Sequence, residues 1–122
     1  MTRPETDKTA LREALGAFAT GVTIVTARAS VRRSSASGTL ERGEPVGFTA
    51  NSFTSVSLEP PLLLVCLAHT AASYKVFCET ESFAVNVLAA DQQQTAMLFA
   101  TRGADKFGTT RWHSGLMGAP LI

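Results

Sequence analysis

Two periods of apolar spacing run along the chain. Leu11, Ala14, Leu15 and Phe18 fall at i, i+3, i+4 and i+7, the stripe of a helix with one buried face, and predict a helix over residues 9–19. Asp7 and Thr9 precede it as cap candidates, and Gly21 follows as a stop. Val22-Thr-Ile-Val-Thr26 is β-branched at every position and predicts a strand. The segment from Arg28 to Pro45 is rich in Ser, Arg, Gly and Glu and reads as a long loop joining two strands.

Extended character resumes over residues 46–51, followed by small and hydroxyl residues to Ser57 and a stop at Leu58-Glu-Pro-Pro61. Leu62-Leu-Leu-Val-Cys-Leu67 is unbroken apolar sequence, the expected pattern of a strand buried on both faces. Thr70 is positioned to cap a short helix ending near Cys78. Phe83-Ala-Val-Asn-Val-Leu88 predicts another strand, and Asp91 opens a helix through Ala96, Met97 and Ala100 that Gly103 ends. An irregular tail with Trp112 and His113 follows.

Strands outnumber long helices, with hairpin-like links early and helical links later. The fold class expected is therefore α+β, mainly β with helices, in which a twisted sheet closes towards a barrel and carries helices on its outside. A doubly wound dinucleotide fold would need Gly-x-Gly-x-x-Gly between strand and helix, which the sequence lacks. At 122 residues one domain is expected, spanning residues 1–122.

Composition narrows the function classes. Apolar residues make up 45% and charged residues 17%, with a net charge of +1, so the chain is globular and has no electrostatic footprint for nucleic acid. The short cluster Arg28, Arg32 and Arg33 reads as a solvated loop. No signal-peptide core opens the chain and its longest apolar stretch, residues 60–68, is too short to span a bilayer, so a cytoplasmic protein without a membrane partner is expected. Cys66 and Cys78 form no Cys-x-x-Cys pair and read as free thiols packed inside.

His69 and His113 lie far apart, with no cysteine or carboxylate at ligand spacing, so no metal site is expected. No Gly-x-Ser-x-Gly elbow occurs, and Cys66 reads as a small hydrophobe rather than a nucleophile. Gly47-Phe-Thr-Ala-Asn-Ser-Phe-Thr-Ser-Val-Ser57 is unusual in crowding hydroxyl and amide groups between apolar elements. It is either a serine-rich turn with locally satisfied hydroxyls or a cradle for a flat heteroaromatic cofactor with a polyol tail. Cys66-Leu-Ala-His-Thr-Ala-Ala-Ser73 is either an ordinary helix cap or a phosphate cradle at Thr70 and Ser73. In Ala104-Asp-Lys-Phe107, Lys106 and Phe107 are surface charge and core, or site residues.

In their order and spacing, Gly47 to Leu62, Cys66-Leu67, Phe83 to Leu88 and Ala104-Asp-Lys-Phe107 resemble the flavin reductase-like family. The likeness begins near Leu11 and runs to Leu121. It implies an FMN-binding split β-barrel, normally a homodimer, in which NAD(P)H reduces FMN or FAD that then passes to a separate monooxygenase. Phe48, Thr49, Ala50, Asn51 and Ser52 would line the isoalloxazine and ribityl groups, with backbone from Cys66, Leu67 and Ala68. Thr70 and Ser73 would hold the phosphate, Phe107 would border the ring, and Lys106 would lend charge. No side chain is expected to act as acid, base or nucleophile, because hydride passes from nicotinamide to flavin. Position 69 is His where relatives tend to carry Arg or Lys. The chain stops at Gly118-Ala-Pro-Leu-Ile122, short of the strands with which family members complete the barrel, so the resemblance also admits a flavin-binding domain without turnover. A sibling oxidase acting on a pyridoxine-type phosphate would want more basic residues than this chain offers.

Overall fold

The structure is a computed structural model that describes residues 7–17, 21–29, 32–33, 40–41 and 43–122. Helix α1 spans Lys8–Ala17, and the Asp7 carboxylate accepts the Thr9 N–H at 3.0 Å, as a cap should. Leu11 is half-exposed on it; the side chains of Ala14, Leu15 and Phe18, which complete the expected stripe, lie outside the described residues.

Strand β1 (Thr23–Arg28) is the centre of the molecule. It pairs antiparallel with β4 (Pro45–Ala50) on one edge and with β7 (Ala84–Val87) on the other. Residues 23–27 are all buried, which explains their unbroken β-branched run: a strand flanked on both edges and covered on both faces has no polar side to show. Its threonines are satisfied in place. Thr23 donates to the Ala50 carbonyl at 3.0 Å, and Thr26 donates to the Pro120 carbonyl at 2.5 Å.

The expected long loop contains a short antiparallel ladder, β2 (Arg32–Arg33) against β3 (Leu40–Glu41). Arg28 is not a loop residue: it ends β1, and its guanidinium donates to the carbonyls of Gly118 and Gly43 and to the Ser114 hydroxyl. A hairpin follows β4, formed by β5 (Thr54–Leu58) and β6 (Pro61–Leu64) with an irregularity between Ser55 and Ser57. The expectation that residues 62–67 form a strand buried on both faces fails here. Leu62, Leu63 and Leu64 are each about half exposed, at 48%, 50% and 50%, because the two-stranded hairpin has no covering layer among the described residues. Both cysteines are free but exposed, not packed inside.

Helix α2 spans Tyr74–Glu79, starting four residues later than Thr70, with Ser73 at its N-cap. A 3-10 turn over Ala90–Gln92 leads into α3 (Gln93–Ala100), where the Gln92 side chain accepts the Ala89 N–H at 2.7 Å. Gly103, at φ +79°, turns the chain away after α3 in a conformation that costs glycine nothing. The tail is more regular than its sequence suggests: β8 (His113–Ser114) pairs with β9 (Pro120–Leu121). None of the described helices is long and apolar enough to cross a membrane. The result is a mixed α/β fold with antiparallel sheets.

Candidate functional site

Strand β4 forms one wall of a cavity of about 850 Å³, within the range of small-molecule and cofactor sites. Two contacts fix this wall. Thr49 donates its hydroxyl to the Ala96 carbonyl on α3, and Phe48 meets Phe77 of α2 edge-on, ring centroids 5.0 Å apart. The rest of the lining comes from the 66–73 loop, the C-terminal end of α3, and the loop carrying Lys106 and Phe107.

The cavity lining combines apolar side chains with hydrogen-bond donors, and Glu44 also lines it. Val46, Phe48, Leu67, Phe99 and Phe107 supply the first, with the Phe99 and Phe107 rings packed edge-on at 5.2 Å. Thr70, Ser73, Arg102 and Lys106 supply the second. The backbone N–H groups of Thr70, Ala72 and Ser73 donate to no other backbone group among the described residues, and the Ser73 hydroxyl makes no cap bond to α2. Unspent N–H and O–H donors beside two cations suit an anionic group. Asp105, also on this rim, is engaged: its carboxylate accepts the Gly108 N–H at 3.0 Å and its carbonyl accepts the Thr109 hydroxyl at 2.8 Å. Asp105→Ala is expected to loosen this turn and lower stability by about 0.5–1.5 kcal/mol, read as a fall in the thermal midpoint that Asp105→Asn largely avoids.

Of the residues singled out in the sequence, Phe48, Thr49, Cys66, Leu67 and Ala68 line the cavity, as do Thr70, Ser73, Lys106 and Phe107. Ala50, Asn51 and Ser52 do not. Ala50 is buried, 5% exposed, and its carbonyl accepts from Thr23; Asn51 and Ser52 are exposed beyond the end of β4. The Ser52 hydroxyl accepts the Cys66 N–H at 3.4 Å, so Ser52 contacts a lining residue without lining the cavity itself.

Arg102 was missed in the sequence. It lies between the end of α3 and Gly103, where a lone cation looks like surface charge, yet its guanidinium donates to the Thr70 carbonyl at 3.3 Å and joins two cavity walls. His69, in the position where a cation was wanted, is exposed and packs edge-on against Tyr74 at 5.0 Å instead. The Tyr74 phenol is held above its ordinary value of 10.0 by hydrogen bonding with Cys78 and by repulsion from the thiolate form of that cysteine, with some desolvation; it stays protonated at neutral pH and is no base. Among the described residues no three His, Cys, Asp or Glu side chains group as a metal site would require.

Residues 15–122 match the family model described as a flavin reductase-like domain. The chain belongs to that family. Among its relatives, the reductase subunit of stachydrine N-demethylase from Rhizobium meliloti (strain 1021) is 46% identical over 95% of this chain and 46% of its own length. The NADH-dependent FAD reductase of Streptomyces globisporus is 43% identical, over 95% of this chain and 59% of that one. A solved structure of the Streptomyces globisporus C-1027 NADH:FAD oxidoreductase, in complex with NAD and FAD fragments, superposes with a TM-score of 0.78 at 44% identity, covering 95% of this chain and 63% of that one. This flavin reductase-like chain spans between a third and a half of the length of the first curated relatives it matches.

Proposed function

We propose that this protein is an NAD(P)H-dependent flavin reductase that supplies reduced FMN or FAD to a partner monooxygenase. The observation that carries the reading is a single cavity lined both by aromatic and aliphatic side chains and by Thr70, Ala72 and Ser73, whose N–H groups donate to no backbone group among the described residues, together with Arg102 and Lys106. FMN needs both kinds of contact, apolar surface for its flat ring and donors for its phosphate, so this lining fits it. Relatives named as an NADH-dependent FAD reductase and an FMN reductase (NADH) support the activity, and relatives named as reductase components of monooxygenases support the partner.

When bound, flavin supplies the acceptor for hydride from the nicotinamide, which removes any need for a protein acid or base. The chain's own part is to bind and orient. Phe48, Phe107 and Leu67 give the ring apolar contact and exclude water from its faces. The N–H groups of Thr70, Ala72 and Ser73, with Arg102 and Lys106, hold the phosphate. Ser52 acts through its bond to the Cys66 N–H, and Ala50 through the backbone of β4, with Asn51 directly after it.

The finer architecture is a split β-barrel that works as a homodimer in the cytoplasm. The exposed β5–β6 hairpin supports the dimer: Val56 is 59% and Leu58 95% exposed and the three leucines of β6 are half-exposed, apolar surface on both faces of the hairpin that a second copy would help to cover. Free thiols suit a reducing compartment. Sedimentation of the flavin-bound protein checks the dimer, and a stable monomer would count against it.

The test of activity is to mix the purified protein with FMN or FAD and NADH under anaerobic conditions and follow the flavin absorbance. Protein-dependent bleaching is expected; flavin that binds without bleaching would instead mark a binding domain without turnover. For the phosphate end, Arg102→Ala is expected to weaken FMN binding roughly fivefold, a modest loss because the guanidinium is exposed. Riboflavin, which lacks the phosphate, should bind the variant and the parent equally. Equal losses for both ligands would remove Arg102 from the phosphate site.

A further inference from the structure

We propose that Trp112, which lies outside the cavity, is the positioning residue that sets the attitude of Phe107 in the cavity wall and thereby the grip of the site on a flavin ring; this rests on the flavin reading above. Phe107 sits in a stretch, residues 101–112, with no helix or strand of its own. No backbone ladder therefore holds its ring in place. Two aromatic neighbours do. Phe99, 2% exposed in the core, meets it edge-on at 5.2 Å and an interplanar angle of 89°. Trp112 meets it at 5.5 Å and 78°.

Trp112 holds Phe107 twice. Besides the ring contact, the indole N–H donates to the Phe107 carbonyl at 3.2 Å, so one side chain fixes both the backbone and the ring of the residue that borders the cavity. Trp112 is itself held. The Arg28 guanidinium carbon lies 5.1 Å from the centre of its ring, a cation–π distance. That guanidinium cannot swing away, because its nitrogens donate to the Gly118 carbonyl at 2.7 Å, the Gly43 carbonyl at 3.2 Å and the Ser114 hydroxyl at 2.9 Å. A relay thus runs from the end of the central strand through Arg28 and Trp112 to Phe107 and into the cavity. Phe107 lines that cavity, whereas Trp112 does not.

A residue that acts only through Phe107 has a distinctive signature. Trp112→Leu, which removes the ring contact and the hydrogen bond, is expected to raise the dissociation constant for FMN about tenfold. Trp112→Phe, which keeps an aromatic edge and loses the N–H, should recover part of this and leave about a threefold loss. Arg28→Met should cost about two- to threefold by loosening the indole. The visible circular dichroism of bound FMN, which reports aromatic contact with the flavin ring and not global stability, should change in Trp112→Leu and return towards the parent in Trp112→Phe.

The decisive comparison is a double-mutant cycle with Phe107→Leu. In that background the Trp112 substitutions should have no further effect on FMN affinity. A full tenfold effect persisting there, or an unchanged dissociation constant and dichroism in a folded Trp112→Leu protein, would overturn the proposal. Should Trp112→Leu fail to fold, Trp112→Phe and Arg28→Met are taken through the same cycle with the same criterion. A parent protein that binds neither FMN nor FAD would overturn the flavin reading and this proposal with it, whereas a parent that binds with no coupling between positions 112 and 107 overturns this proposal alone.

Discussion

Asn86→Leu is expected to destabilise the protein by about 2–4 kcal/mol, although leucine shares asparagine's branching and number of side-chain heavy atoms. Asn86 is buried on β7 opposite Ile24. Its amide N–H groups donate to the Ile24 carbonyl at 2.9 Å and to the Thr26 hydroxyl oxygen at 3.2 Å, while its carbonyl accepts the Ile122 N–H at 3.0 Å. Thr26 in turn donates to the Pro120 carbonyl. This network joins the central strand to the terminal strand pair, and among the described residues no buried side-chain polar atom is left without a partner. Leucine would fill the space and strand several of those groups at once, each of which costs far more unpaired than the bond contributes when made. At about 4 °C per kcal/mol for a chain of this size, the thermal midpoint should fall by roughly 8–16 °C. A loss under about 1 kcal/mol in urea denaturation would show that the C-terminal residues are held by packing alone.

Gly47→Val should combine a loss of stability with a loss of the site. Gly47 is buried on β4 opposite Thr26, and a Cβ placed there would come within 3.1 Å of both Phe99 Cε1 and Thr26 Cγ2. Alanine is near neutral at such a spot, since the tight contact is offset by about 0.5–1 kcal/mol of reduced backbone freedom in the unfolded chain. Valine adds two methyl groups with nowhere to go, and overpacking of this kind costs about 1–3 kcal/mol. The element that must yield is α3, because Phe99 belongs to it. Moving α3 displaces Phe99, Thr101 and Arg102 from the cavity and pulls on the Thr49 bond to Ala96. Flavin affinity should therefore fall well beyond what the stability loss alone produces, while Gly47→Ala binds flavin nearly as the parent does. Equal affinity in a folded Gly47→Val protein would mean that the close approach of α3 to β4 does not shape the site.

Local signals carried much of the architecture because they act over a few residues. The β-branched run of β1, the Asp7 cap and the Gly103 turn were readable where they stand. The cavity was partly readable for another reason: Phe48, Thr49, Cys66, Leu67 and Ala68, with Thr70, Ser73, Lys106 and Phe107, lie within short phrases whose order resembles a known family. Ala50, Asn51 and Ser52 belong to the same phrase but fall outside the lining, since β4 ends at Ala50 and the chain leaves the wall there.

Other features depend on what a residue meets across the fold, and no local pattern encodes that. The apolar run 62–67 predicted burial, but burial is a property of the surroundings, and the hairpin that carries Leu62 to Leu64 has no covering layer among the described residues. Arg28 looked like loop charge until the terminal segment, about ninety positions away, supplied the Gly118 carbonyl. Asn86 looked like an ordinary strand residue, Arg102 like surface charge after a helix, and Trp112 like part of an irregular tail. The sequence by itself determined the β-branched run of β1, the Asp7 cap, the Gly103 turn and the family, while the cap expected at Thr70 lies at Ser73 instead. Only the tertiary structure decided which polar groups are paired and buried, which cations face the cavity, and which aromatic ring holds another, because each of these is set by contacts between residues far apart in the chain.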